Sequence, residues 1–306
     1  MRVRSFIALV LVVALALGVA AGCTKTEAPK PAAEKPVTKI VVGFVPSQNA
    51  DKLAATAKPL GEMLQKQLGE GYKVETVVMA NFNGLVEAMG SKKVDVGFLN
   101  PFGYVLAHDL NGSKVILKTL RFDAVKKKMM DSYRAQFVKK ADSPIAKIED
   151  LKGKKVGFVD PASTSGYLYP AALLKEKGID PEKDIKGQFL GGHDTVIKAV
   201  AKGDVDAGVS YEDARTRVAK EDKEIMKKVV PFAYTDWIPN DTVSVRKDLD
   251  DLLAKKIYVA FMIIQQTDAG KKVLKSIYDI DGLTEAKDSD YDIVRRVQKL
   301  MNYQLK

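Results

Sequence analysis

Residues 88–98, AMGSKKVDVGF, and residues 199–209, AVAKGDVDAGV, are near-copies of one another. In each, an apolar helical stretch ends in a polar turn containing glycine, and the next run opens Val-Asp-x-Gly. Around the first copy, residues 40–45, 72–78 and 94–99 read as short β-rich strands, with amphipathic helices at 51–68 and 82–89 between them. The order recurs after residue 150, with strands at 155–159, 185–190 and 205–210 and helices at 167–177 and 194–202. A βαβαβ order calls for a parallel sheet with helices on its faces. Two such units make two similarly wound α/β lobes the economical reading. Two unrelated αβ turns drawing on the same few residues would also produce the echo.

Residues 112–145 break the alternation, with strands expected at 115–120 and 132–138 and a polar turn at 139–144. Strands at 229–234 and 243–245 flank the segment Asp236–Asp241. Helices at 249–266, 270–278 and 291–303 finish the chain without a sheet of their own, so the tail is expected to pack on the first lobe. Two chain crossings follow, near 134–138 and 236–245. They give a first lobe of residues 38–135 and 240–306 and a second of 136–239, with a ligand in the cleft at the strand ends.

The front of the chain is a different kind of sequence. Arg2 and Arg4 precede an uncharged apolar run, residues 6–21, which is shorter than the roughly 20 residues of a membrane span. Ala20, Ala21 and Gly22 then precede Cys23. Residues 1–22 read as a secretory signal peptide. The site resembles a bacterial lipobox, which implies a lipid on Cys23 and a protein exported to the outer face of the cytoplasmic membrane, or to the periplasm of a two-membrane cell. Residues 23–37, with Pro29, Pro31 and Pro36, form an extended lipidated tether. Cys23 is the single cysteine, so disulfide and thiol chemistry are unavailable to the folded part. The net charge of +10 is spread over lysine-rich faces, and no nucleic-acid motif accompanies it.

Candidate chemistry lies at the strand ends. Residues 160–167, DPASTSGY, run from a strand through three hydroxyls and a glycine into a helix. Ser163, Thr164 and Ser165 there can cap the helix or, with free N–H groups and the helix dipole, seat an oxyanion. Tyr104 follows the third strand and can place a hydroxyl in the cleft or sit half-buried at a helix start. Ser47, Gln48 and Asn49 offer polar lining. His193 follows Gly191 and Gly192 and can donate to a ligand or cap its own turn. Glu212, Asp213 and Asp241 are acids that can meet a protonated or amine-bearing ligand or remain solvated helix starts. Neither histidine has metal-ligand spacing, so no metal is expected. No G-x-S-x-G, Walker or Rossmann pattern is present, so neither catalysis nor a cofactor is expected.

Taken in order, VGFVP at 42–46, VDVGFLNP at 94–101, LKGKK at 151–155, DPASTSG at 160–166, the turn Gly192–Asp194 and IPND at 238–241 resemble the phosphate/phosphite/phosphonate-binding proteins of ABC importers. The resemblance spans about Lys39 to Tyr303. It implies a type II periplasmic-binding-protein fold, two α/β lobes joined by two crossover segments, acting as a monomer with a membrane permease. By motif match, Ser163, Thr164, Ser165, Tyr104 and His193 would hold the phosphoryl-type oxygens. Asp241 and Asp213 match acidic ligand positions, with Glu212 an alternative to the latter. The polar Gln48–Asn49 region stands where some members carry an aromatic. Receptors or sensors for another small solute share such a fold, and an envelope hydrolase is the remaining reading.

Overall fold

The computed structural model describes residues 37–123 and 126–303. The expectations for residues 1–36, including the leader, Cys23 and nearly all of the tether, lie outside the described residues. Twelve strands occur among the described residues: β1 (Thr38–Phe44), β2 (Tyr72–Val78), β3 (Val96–Leu99), β4 (Lys114–Asp123), β5 (Lys128–Met130), β6 (Ser132–Lys140), β7 (Lys155–Phe158), β8 (Lys186–Phe189), β9 (Ala207–Tyr211), β10 (Val229–Pro239), β11 (Thr242–Val245) and β12 (Gly282–Thr284). They form two sheets, β12-β4-β11-β3-β1-β2 with β5 beside β4, and β10-β6-β9-β7-β8.

The two near-copies occupy equivalent places. Asp95 N–H donates to Val41 O at 2.9 Å, and its Oδ2 accepts from Val41 N–H at 2.7 Å. Asp206 does the same with Lys155, at 2.9 Å and 2.8 Å. Each aspartate therefore clamps the third strand of its unit to the first. Gly97 and Gly208 lie under the preceding helices, where a Cβ would come within 2.5 Å of Met89 and Val196 respectively. The Val-Asp-x-Gly pattern is thus a packing requirement met twice.

Only the βαβαβ units are parallel, β2-β1-β3 and β8-β7-β9. The expected parallel pairing of the two βαβαβ units is present, and the remaining strands make both sheets mixed. β11, β4 and β12 complete the first sheet antiparallel, and β6 and β10 the second. The chain passes from one sheet to the other between Met130 and Ser132 and returns between Pro239 and Thr242, so strands reach each sheet from the opposite direction. Asp236–Pro239 is part of β10, whose pairing with β6 slips twice along its length. The tail also supplies β12, so it does add to a sheet.

Helices cover both sheets. Leu53, Ala57, Leu60 and Leu64 of the helix Ala50–Leu68 form its buried stripe, and Asn49 caps it by accepting from Lys52 N–H at 3.0 Å. Phe44 stacks on Phe98 with ring centroids 4.8 Å apart, and Phe261 of the helix Asp251–Ile264 meets Phe98 edge-on. These contacts fix the carboxyl ends of β1 and β3, where the first-sheet side of the cavity described below begins.

Candidate functional site

Between the carboxyl ends of the two sheets lies a small cavity lined by Val45, Ser47, Gln48, Phe82, Asn100, Arg121, Tyr133, Ser163, Ser165, His193, Tyr211, Arg217, Asp241 and Tyr278. The space open to the centre of a water molecule is about 30 Å³. Since roughly 10–15 Å³ of such space holds one water, this is room for a compact group of a few heavy atoms.

The serine-rich turn forms one wall. Ser163 caps the helical turn Thr164–Leu168, accepting from Gly166 N–H at 3.1 Å. Gly166 is required by close approach, because a Cβ there would lie 2.4 Å from the Cβ of Val159. The helix starts earlier than expected: Thr164 and Ser165 belong to its first, wide turn and not to the loop before it. That wide turn runs into the helix Tyr169–Glu176, which opens with Pro170, a residue with no N–H to donate. Ser163 and Ser165 face the cavity, and the Ser165 hydroxyl lies beside that of Tyr133. Thr164 does not line it. Its Oγ1 accepts from Asn100 Nδ2 at 2.8 Å and from Phe102 N–H at 2.9 Å, tying the turn to the first-sheet side.

His193 opens the helix His193–Lys202, and its N–H donates to Ser47 O at 3.1 Å. Nδ1 lies 3.1 Å from Ser210 Oγ and accepts from Tyr211 N–H at 3.4 Å. A backbone N–H can only donate, so Nδ1 is assigned as the acceptor and Nε2 carries the proton. Burial, with Arg121 and Arg217 nearby, lowers the imidazole to about 3, so the ring is neutral at pH 7.

Two residues that sequence reasoning missed dominate the electrostatics. Arg121, in β4, has its guanidinium over the rings of Tyr211 at 4.9 Å and Tyr133 at 5.5 Å. It makes no hydrogen bond among the described residues. Asp241 also lines the cavity, and burial raises its carboxyl to about 6 against the pull of Arg121. Arg217 is the second missed cation. Its guanidinium donates to Asp279 Oδ2 at 2.6 Å, to Ile277 O at 3.1 Å and to Gln48 Oε1. An arginine ending an apolar strand was a faint signal for Arg121. None marked Arg217, which sits in the ordinary helix Ala214–Val218. Tyr133, Tyr211 and Tyr278 were missed as well, because they belong to strands and a helix that read as core.

Besides Thr164, two further expected site residues do not line the cavity. Tyr104 is fully buried in the helix Pro101–Asn111, its hydroxyl donating to Asp288 Oδ1 at 2.8 Å and its ring packed on Tyr291. Its position in the first helical turn aims it at the C-terminal segment, away from the cavity. Asp213 does not line the cavity; it is exposed, with left-handed backbone (φ 66°) before the helix Ala214–Val218. Glu212 does not line it either, being paired with Arg134 Nη2 at 2.8 Å. Among the described residues, no group of three or more His, Cys, Asp or Glu is arranged to hold a metal ion.

Comparison with known proteins follows the same geometry. Residues 42–291 match the family described as ABC transporter, phosphonate, periplasmic substrate-binding protein. The phosphate-import protein PhnD of Mycolicibacterium smegmatis is 36% identical over 69% of this chain and 67% of its own length. The phosphonates-binding periplasmic protein of Escherichia coli is 26% identical over 80% of this chain and 72% of its own. The crystal structure of PhnD1 from Prochlorococcus marinus in complex with methylphosphonate superposes with a TM-score of 0.76 at 21% identity, covering 87% of this chain and 98% of that one. At that identity the structural likeness is one of fold.

Proposed function

The chain belongs to the family of periplasmic substrate-binding proteins of phosphonate ABC transporters, and from that premise we propose that its cavity captures a small phosphorus oxyanion, whether phosphite, phosphate or a phosphonate. One observation carries the reading: Arg121 enters the cavity with every guanidinium N–H uncommitted, beside Ser163, Ser165 and His193. A partly buried guanidinium without a hydrogen-bond acceptor is costly, and an anion offering several acceptors offsets that cost. Asp241 would accept from a protonated ligand oxygen, so a form bearing one P–OH suits the cavity better than a fully ionised one.

Ligand capture would draw the two sheets together, with the Thr164 and Arg217 contacts holding the closed form. A hydrolytic role is disfavoured, because Nδ1 of His193 is occupied and Nε2 carries the proton, leaving the ring no free lone pair to act as a base. Residues 1–22 would direct export, and a lipid on Cys23 would hold the monomeric receptor near its permease. Metabolic labelling with a fatty acid would be lost in Cys23→Ser.

Isothermal titration of the purified full-length protein with phosphite, phosphate, methylphosphonate and 2-aminoethylphosphonate tests the central reading. Saturable heat with at least one of them is expected. No heat with any, from ligand-free protein, overturns it.

A further inference from the structure

The two arginines in the cavity are in opposite states. Arg121 has its faces covered by aromatic rings and its N–H edges free. Arg217 is held through all three of its nitrogens: Nε on Asp279, Nη1 on Gln48 and Nη2 on Ile277 O, with its charge balanced by Asp279. Arg217 reaches these partners from the second-sheet side, while Gln48, Ile277 and Asp279 belong to the first. Gln48 is held in turn by its own Nε2, which donates to the same Ile277 O at 2.7 Å. We infer that Arg217, clamped in this way, is the specificity-determining wall of the cavity, closing it to any substituent larger than a methyl group and confining the ligand to inorganic phosphorus oxyanions and one-carbon phosphonates. The inference rests on the oxyanion reading of the cavity.

Size sets the first limit. The open space corresponds to two or three water positions, about what a tetrahedral oxyanion occupies. The other walls are fixed by the frame: Tyr133 lies in β6, Tyr211 ends β9, and the Tyr278 hydroxyl donates to Val45 O at 2.7 Å. The Arg217–Gln48 contact is made by two long side chains meeting across the cleft. A longer tail would have to displace it, breaking charge-assisted bonds with no replacement.

Charge sets the second limit. A ligand amine needs a carboxylate of its own: Asp241, which lines the cavity, is occupied by the P–OH of the ligand in the oxyanion reading, and the other acids near this end are taken. Glu212 is paired with Arg134, Asp213 is exposed outside the cavity, and Asp279 is held by Arg217. Removing Arg217 therefore does two things: it makes room, and it frees Asp279 to receive an amine.

Titrations of methylphosphonate, ethylphosphonate and 2-aminoethylphosphonate into the full-length protein and its variants test the inference. The wild type is expected to favour methylphosphonate over both longer ligands by about 100-fold or more, the scale of losing two or three such bonds. In Arg217→Ala the gap should close to within about 10-fold, with 2-aminoethylphosphonate ahead of ethylphosphonate. Adding Asp279→Asn should remove that order. Gln48→Ala should narrow the gap partway, and it supplies the readout if Arg217→Ala no longer holds methylphosphonate. A wild-type gap below about 10-fold, or a gap unchanged in these variants, overturns the gate while leaving the oxyanion reading standing. If the wild type binds none of phosphite, phosphate and methylphosphonate, the oxyanion reading fails and the gate fails with it.

Discussion

Thr164 Oγ1 lies 2.8 Å from Nδ2 of Asn100 and 2.9 Å from the N–H of Phe102, so a hydroxyl in the middle of the serine-rich turn is consumed by the opposite side of the cavity. Asn100 also donates to Ala162 O at 2.9 Å. The turn therefore divides its work: Ser163 and Ser165 face the cavity, and Thr164 ties the turn to the first-sheet side.

Thr164→Val removes the acceptor while keeping the shape, leaving two buried donors unpaired. Each costs about 1–3 kcal/mol, so ligand affinity should fall about 30-fold or more, chiefly through faster dissociation. Stopped-flow release of ligand measures this. A variant with an unchanged off-rate would show that Thr164 is not a closure contact.

Arg121→Met should reduce oxyanion affinity by at least about 100-fold, the scale of one or two hydrogen bonds to a charged donor. Arg121→Lys should fall between the two, because it keeps the charge and loses the fork. Titration calorimetry reads both, and near-wild-type binding in Arg121→Met would remove this residue from the site.

Sulfate carries no proton at neutral pH and would set a full dianion against Asp241. It should bind at least about 100-fold more weakly than phosphite, and Asp241→Asn should recover much of the difference, because specificity here comes from a repulsive element. Competition titration at pH 7.5 decides it.

Asp241 also makes stability depend on pH. Its folded carboxyl titrates at about 6, above an unfolded value near 3.9, so the native state holds the proton more tightly. The resulting penalty is absent below about pH 4, grows as pH rises, and is complete above about 6. Asp241→Asn should be more stable than the wild type by on the order of 3 kcal/mol at pH 7.5, with the two converging near pH 4. Urea unfolding at the two pH values measures the difference.

His193 runs the other way. Its folded imidazole is lowered to about 3, so the unfolded chain takes up a proton that the native state refuses. Stability from this residue is lost as pH falls below about 6.5. Its ring signals in nitrogen-detected NMR should hold the neutral Nε2–H form from pH 8 down to 5. A titration midpoint inside that range would contradict the assigned tautomer and burial.

The sequence by itself determined the local architecture. The periodicity of residues 40–99 and 155–210, the doubled Val-Asp-x-Gly and the serine-rich turn all follow from neighbours a few residues apart, and Ser163, Ser165, His193 and Asp241 were legible because they sit where strands end. Only the tertiary structure decided which side chains share the cavity. Arg121 and Arg217 are ordinary residues of a strand and a helix until the chain crosses twice between sheets and brings Gln48, Ile277 and Asp279 against one of them. Tyr104, promising by position, is turned toward Asp288 and Tyr291. Spacing along the chain fixes which way a strand ends, but a ligand seat between two sheets is made of contacts remote in sequence, and those are set by packing.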